Sequence, residues 1–149
     1  MNGVFTIMPA PTPNPTPPSQ KSLRVIYADD QRDLREILRM SLARDGHGVE
    51  CLPDGRAAWE RLVGNHAAID LVVTDHFMPE MNGLELVMHL RTLPYRGKIV
   101  VFSSELSAEV TNAYLALKVD RLLHKPIFPS EFRRVLAELF GPLSVRQPA

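Results

Sequence analysis

This sequence has no excess of charge, no pair of cysteines and no long apolar run. Formal charge is zero, with 17 basic and 17 acidic residues interspersed and no long run of either sign. That argues against a broad electrostatic surface for nucleic acid, although a small patch stays open. The single cysteine, Cys51, excludes an intramolecular disulfide. It lies in Val49-Glu50-Cys51-Leu52, where a half-buried core thiol is expected and a reactive thiol is the alternative. No apolar run approaches the roughly 20 residues that span a bilayer. Met1 to Met8 has no basic residue and no adequate apolar block, which makes a poor secretory signal. The expected location is the cytoplasm.

The 149 residues suffice for one domain and not for two ordinary ones. A chain of this size buries roughly 70% of the surface it would expose unfolded. Six of the thirteen prolines fall within residues 9–20. Proline fixes φ and lacks an amide donor, so this stretch joins neither a helix nor a ladder. Residues 1–21 are expected to be a disordered, polyproline-like leader. A Pro-rich ligand for a partner domain is the functional alternative, and Pro-Thr-Pro-Pro supports it weakly.

From residue 22 short apolar runs alternate with segments of helical period, and a domain is expected over 22–140 with a short tail at 141–149. Leu23 to Ala28 is a strand candidate. Residues 31–45 carry Leu34, Ile37, Leu38 and Leu42 on one helix face, ended by Gly46 and Gly48. A strand at 48–52 follows. Asp54 caps a helix over about 55–63, with Ala58, Trp59, Leu62 and Val63 available for burial. Ile69 to Thr74 is β-prone, Gly83 to about Leu93 helical, Lys98 to Ser103 a buried-type strand and Ser107 to Leu117 helical. Arg121 to His124 is a short strand. A last helix runs from Ser130, as its cap, to Phe140, closed by Gly141-Pro142. Five strands and five helices in alternation, without apolar–polar alternation along the strands, predict an α/β fold with a parallel sheet covered on both faces. Ligands of such sheets bind beyond the carboxyl ends of the strands.

Those ends carry a distinctive set of residues. Asp29-Asp30 follow the first strand, Asp75 the third, Ser103-Ser104 the fourth and Lys125-Pro126 the fifth. Taken singly, each has a plainer role: a helix cap for Asp29-Asp30, a loop residue for Asp75, a solvated charge for Lys125. Their joint placement at successive strand ends favours a site. Three carboxylates close together repel one another without a cation. Oxygen-only ligands select a small hard ion, and Mg²⁺ fits. With Lys125 the ion makes an anion site beside a nucleophilic carboxylate, and an aspartate can take a phosphoryl group as an acyl phosphate. The Ser103 hydroxyl could share in stabilising the transferring group; Ser104, also a hydroxyl, stays open as an alternative.

Val25-Ile26-Tyr27-Ala28-Asp29-Asp30, Asp75-His76-Phe77-Met78-Pro79-Glu80-Met81-Asn82-Gly83, Ser103 and Lys125-Pro126 resemble the receiver domain of two-component response regulators, in its stand-alone, chemotaxis-regulator-like form. The resemblance covers roughly residues 22–140. It implies a flavodoxin-like, doubly wound sheet of strand order 2-1-3-4-5. It implies that Asp75 is phosphorylated by a histidine kinase or phosphotransfer protein. Asp29, Asp30, Asp75 and the backbone carbonyl of Phe77 would bind Mg²⁺. Ser103 would hydrogen-bond the phosphoryl group, Lys125 would pair with it, and the Lys125-Pro126 bond would be cis. Such a chain is not an enzyme in the ordinary sense, since it catalyses only its own phosphorylation and slow dephosphorylation.

Three departures from the family stand out. Lys118-Val119 replaces the frequent Gly-Ala, Leu122 replaces the aromatic usually three positions before the lysine, and bulky Phe77 stands two after Asp75, with Glu105 two after Ser103. Phe77 is expected to slow self-dephosphorylation by restricting the hydrolytic water. Leu122 sets the usual aromatic readout aside. His76 is expected to be a mobile rim side chain, and His124 a rim or surface contact. Nine residues follow Phe140. Output is therefore expected through a partner protein on the Ser107–Phe140 face, through a phosphorelay or through a homodimer, unless the chain is an excised receiver. No nucleic-acid partner is expected. A phosphate-independent interaction module of the same fold is the alternative from another class.

Overall fold

A computed structural model describes residues 22–141. The expected leader, residues 1–21, and most of the tail lie outside them. Five strands, β1 (Arg24–Ala28), β2 (Gly48–Leu52), β3 (Leu71–Asp75), β4 (Lys98–Ser103) and β5 (Arg121–His124), form one sheet. All neighbours pair in parallel, in the order β2-β1-β3-β4-β5. Five α-helices connect and cover them: α1 (Arg32–Arg44), α2 (Gly55–Val63), α3 (Gly83–Leu90), α4 (Ala108–Ala116) and α5 (Pro129–Phe140). A short 3-10 turn at His66–Ala68 also precedes β3. Among the described residues no helix is long and apolar enough to cross a membrane.

The missing two-fold alternation has a direct cause. Successive β1 residues point to opposite faces, and both faces are dry. Ile26 and Ala28 join Val72, Ile99 and Val101 under α2, α3 and α4. Val25 and Tyr27 join Leu71, Val73, Val100 and Phe102 under α1 and α5. Cys51 packs partly buried against the second core, where burial pushes its thiol above the usual range. This is the core thiol expected.

Two helix starts carry local signatures. The Asp54 carboxylate accepts the Ala57 amide at 2.8 Å. Asn82 and Glu85 form a reciprocal capping box at α3. Other expectations are corrected. Ser130 does not cap α5: the helix starts one residue earlier at Pro129, whose fixed φ suits the first turn, and the N-cap Phe128 makes no side-chain cap bond. Gly46 ends α1 at φ +88°, whereas Gly48 already opens β2. The third helix stops at Leu90 rather than Leu93 and gives way to turns. Ile37 and Val63 are exposed, because they sit on the flanks of their helices beyond the stripe that meets the sheet.

Lys118, at the place of the family's frequent glycine, takes φ +60°. A side chain there costs roughly 1 kcal/mol. The Arg91 guanidinium offsets part of that cost by donating to the carbonyls of Leu117 and Lys118 at 2.8 and 2.9 Å.

Candidate functional site

The ladder carries the reactive side chains to one edge. The Asp29 amide donates to the Leu52 carbonyl at 3.1 Å, extending β1 past its last strand residue. Asp75 ends β3 opposite Phe102, so Ser103 stands one step further out on β4. The Lys125 amide donates to the Ser103 carbonyl at 2.8 Å, and the Lys125-Pro126 peptide is cis. Asp29, Asp30 and Asp75 thereby converge, each offering a carboxylate oxygen within 4.8 Å of the others. Asp29 and Asp75 are buried; Asp30 is exposed.

Lys125 reaches into this cluster. Its Nζ lies 3.0 Å from Asp75 Oδ1 and 3.5 Å from Asp29 Oδ2. It also donates to Gln31 Oε1 at 3.0 Å. Burial pushes the Asp75 carboxyl above the usual range; the Lys125 hydrogen bond opposes this and the Asp29 charge adds to it. Two buried carboxylates share one ammonium, which leaves negative charge in excess. Three convergent oxygen donors with that excess fit a small hard cation and suit no soft metal.

Asp29 is tied at both oxygens. Oδ1 accepts the Gln31 amide at 2.8 Å and Oδ2 accepts the Tyr27 hydroxyl at 2.9 Å. The capping role open to Asp30 is not taken: Gln31 is the N-cap of α1 and its side chain makes no cap bond. Ser103 is buried at the edge while Ser104 is exposed, which favours Ser103 as the inward hydroxyl.

The loop from His76 to Asn82 is pinned at both ends. The His76 amide donates to Phe102 O at 3.0 Å, and the Gly83 amide to His76 O at 2.9 Å. Glycine is required at 83: a Cβ would collide with the Asp75 carbonyl and lie 2.7 Å from the Tyr114 hydroxyl. His76 is not a mobile rim residue. It is buried, and its Nδ1 shares a 2.6 Å hydrogen bond with the Tyr114 hydroxyl of α4. The cause is long-range: Tyr114 fills the space under the loop that Gly83 leaves open. The Phe77 side chain is 61% exposed and meets the His76 ring edge-on. Leu122 packs partly buried on the first core, and His124 is exposed as expected. An apolar groove lined by Leu34, Ile37, Pro126 and Phe128 runs from Lys125 along α1.

Sequence reasoning missed Tyr27, Gln31 and Tyr114. Tyr27 had a signal, since it stands two residues before Asp29 on a strand and so faces the same side. Gln31 adjoins the acidic pair. Tyr114 had none, being 38 residues from His76.

Comparison with known proteins agrees with this fold. The family model of the response regulator receiver domain matches residues 25–137. The response regulator MprA of Mycolicibacterium vanbaalenii is 36% identical over 104 residues, 70% of this chain and 44% of that protein. The sensory/regulatory protein RpfC of Xanthomonas campestris is 29% identical over 133 residues, 87% of this chain and 18% of that protein. The chain thus spans less than half the length of these curated relatives. The chemotaxis response regulator CheY4 of Vibrio cholerae matches with a TM-score of 0.73 at 26% identity, over 80% of this chain and 99% of that one.

Proposed function

The chain belongs to the response regulator receiver domain family, and from that premise we propose that it is a signalling switch with Asp75 as its phosphoacceptor. Receiver domains are signalling modules whose general function is a phosphorylation switch. The observation that carries the finer reading is the convergence of Asp29, Asp30 and Asp75 within 4.8 Å, with Lys125 Nζ 3.0 Å from Asp75.

Asp29, Asp30 and Asp75, with the Phe77 carbonyl, would hold Mg²⁺, which when bound neutralises charge on the transferring phosphoryl group. The chain's own residues do the rest. An Asp75 carboxylate oxygen attacks phosphorus; the O–P bond forms, the P–N bond to the donor histidine breaks, and the nitrogen keeps the electron pair. Lys125 shifts from the carboxylate to the new phosphoryl oxygens, and the Ser103 hydroxyl donates to them. The groove along α1, ending at Lys125, suits the approach of a histidine kinase or phosphotransfer protein. The switch then biases the α4–β5–α5 face for a target protein by population shift. Leu122 in place of an aromatic favours one second reading, a module of the same fold that binds its partner without phosphate.

Incubation with Mg²⁺ and acetyl phosphate, followed by mass spectrometry, tests the proposal. A phosphoryl adduct mapped to Asp75 and absent from Asp75→Ala is expected. Wild type behaving like Asp75→Ala, while still binding its partner, would leave only the second reading.

A further inference from the structure

We propose that Tyr27 is a positioning residue for the divalent cation: its buried phenol holds the Asp29 carboxylate in the binding orientation. The inference rests on the reading of Asp29, Asp30 and Asp75 as the cation site.

Neighbouring positions in this core need no hydroxyl. Val25, Val73 and Val100 fill it with aliphatic side chains alone. Tyr27 brings a polar atom into the same dry layer, and its hydroxyl goes to Asp29 Oδ2 at 2.9 Å. The ring cannot swing freely. It meets Phe102 edge-on at 5.8 Å, and Phe102 meets Phe132 of α5 edge-on at 5.6 Å. Of the two groups only the phenol carries a hydrogen to give, so the hydroxyl donates and the Asp29 carboxylate accepts.

The effect on Asp29 follows from geometry. The carboxylate is fully buried; the Gln31 amide fixes Oδ1, and Oδ2 is shared between the Tyr27 hydroxyl at 2.9 Å and Lys125 Nζ at 3.5 Å, so without the phenol Oδ2 answers to the lysine alone. With Tyr27 on Oδ2 the carboxylate plane is fixed before the cation arrives. Partners that orient a metal ligand in this way typically change affinity by about 10–100-fold.

Tyr27→Phe keeps the ring and its packing on Phe102 and deletes only the donor. Mg²⁺ binding to the full chain is measured by calorimetry, and Mn²⁺ binding by electron paramagnetic resonance. Circular dichroism and urea unfolding accompany each variant. The expected result is an affinity roughly tenfold weaker or more in Tyr27→Phe. The same substitution in an Asp29→Asn background should then change little, because the hydroxyl acts through Asp29. Unchanged or tighter cation binding in Tyr27→Phe overturns the inference, whatever its stability, and makes the hydroxyl a satisfied core group only. An equal loss in the Asp29→Asn background overturns it as well. Wild type that binds neither ion, or binds both as well after Asp29→Asn, overturns the cation-site reading itself and this inference with it. Should Tyr27→Phe not fold, 3-fluorotyrosine at position 27 perturbs the donor with the ring in place, and unchanged affinity there overturns the inference equally.

Discussion

Replacing Asp75 by asparagine should stabilise the fold when no divalent cation is present. The Asp75 carboxylate lies 3.0 Å from Lys125 Nζ, an attraction of about 5.5 kcal/mol at an effective dielectric of about 20. An Asp29 oxygen within 4.8 Å repels it by at least about 3.5 kcal/mol on the same basis. The surviving attraction, at most about 2 kcal/mol, is smaller than the several kcal/mol that desolvating a buried carboxylate costs. Ionised Asp75 therefore destabilises the folded state, in agreement with a carboxyl held above its usual range chiefly by burial. Asp75→Asn keeps the shape, drops the charge and should raise unfolding free energy by roughly 1–3 kcal/mol. Urea unfolding at neutral pH, followed by Trp59 fluorescence and circular dichroism in a chelator, measures the change. Excess Mg²⁺ should then stabilise wild type more than Asp75→Asn, since a ligand that binds only the folded state adds stability. A variant less stable than wild type in chelator would refute the reasoning, because the Lys125 ion pair would then outweigh burial.

Phe77→Asn should shorten the lifetime of phosphorylated Asp75, because the exposed ring at the loop gives way to a small polar group that admits and orients water; loss of radiolabelled phosphoryl group measures it, and an unchanged or longer half-life refutes it. Tyr114→Phe should cost about 1–2 kcal/mol in urea unfolding, since it leaves buried His76 without its 2.6 Å partner. His47 gives the pH dependence. Its Nδ1 accepts the Leu23 amide at 3.0 Å, and burial holds its pKa below the ordinary 6.5. A depressed folded value means that the unfolded chain binds the proton first. The stabilisation is fully present above about pH 6.5 and is lost as pH falls through the depressed value. Comparing unfolding at neutral and mildly acidic pH should show this fall, and His47→Gln should flatten it.

Much of the candidate site was legible because strand ends in a parallel sheet are punctuated by changes from apolar to polar or charged residues. Asp29, Asp75, Ser103 and Lys125 all sit at such changes, and parallel pairing in register brings them together. Periodicity also assigned Leu38 and Leu42 correctly to the buried face of α1. It misassigned Ile37 because a helix stripe has edges, and where the edge falls depends on the width of the sheet beneath. Ser130 looked like a cap by residue type, yet Pro129 one position earlier set the start. His76 was misread for a different reason. Its local sequence is a polar loop, and only the distant Tyr114 makes it a buried, bonded residue.

The two cores share no side chain among the described residues. The sheet therefore works as insulation between them. Substitutions beneath α1 and α5 can be accommodated without repacking the residues beneath α2, α3 and α4. At the rim the two layers reach the same charged edge: Tyr27 of one core bonds Asp29, and Tyr114 of the other bonds His76 beside Asp75.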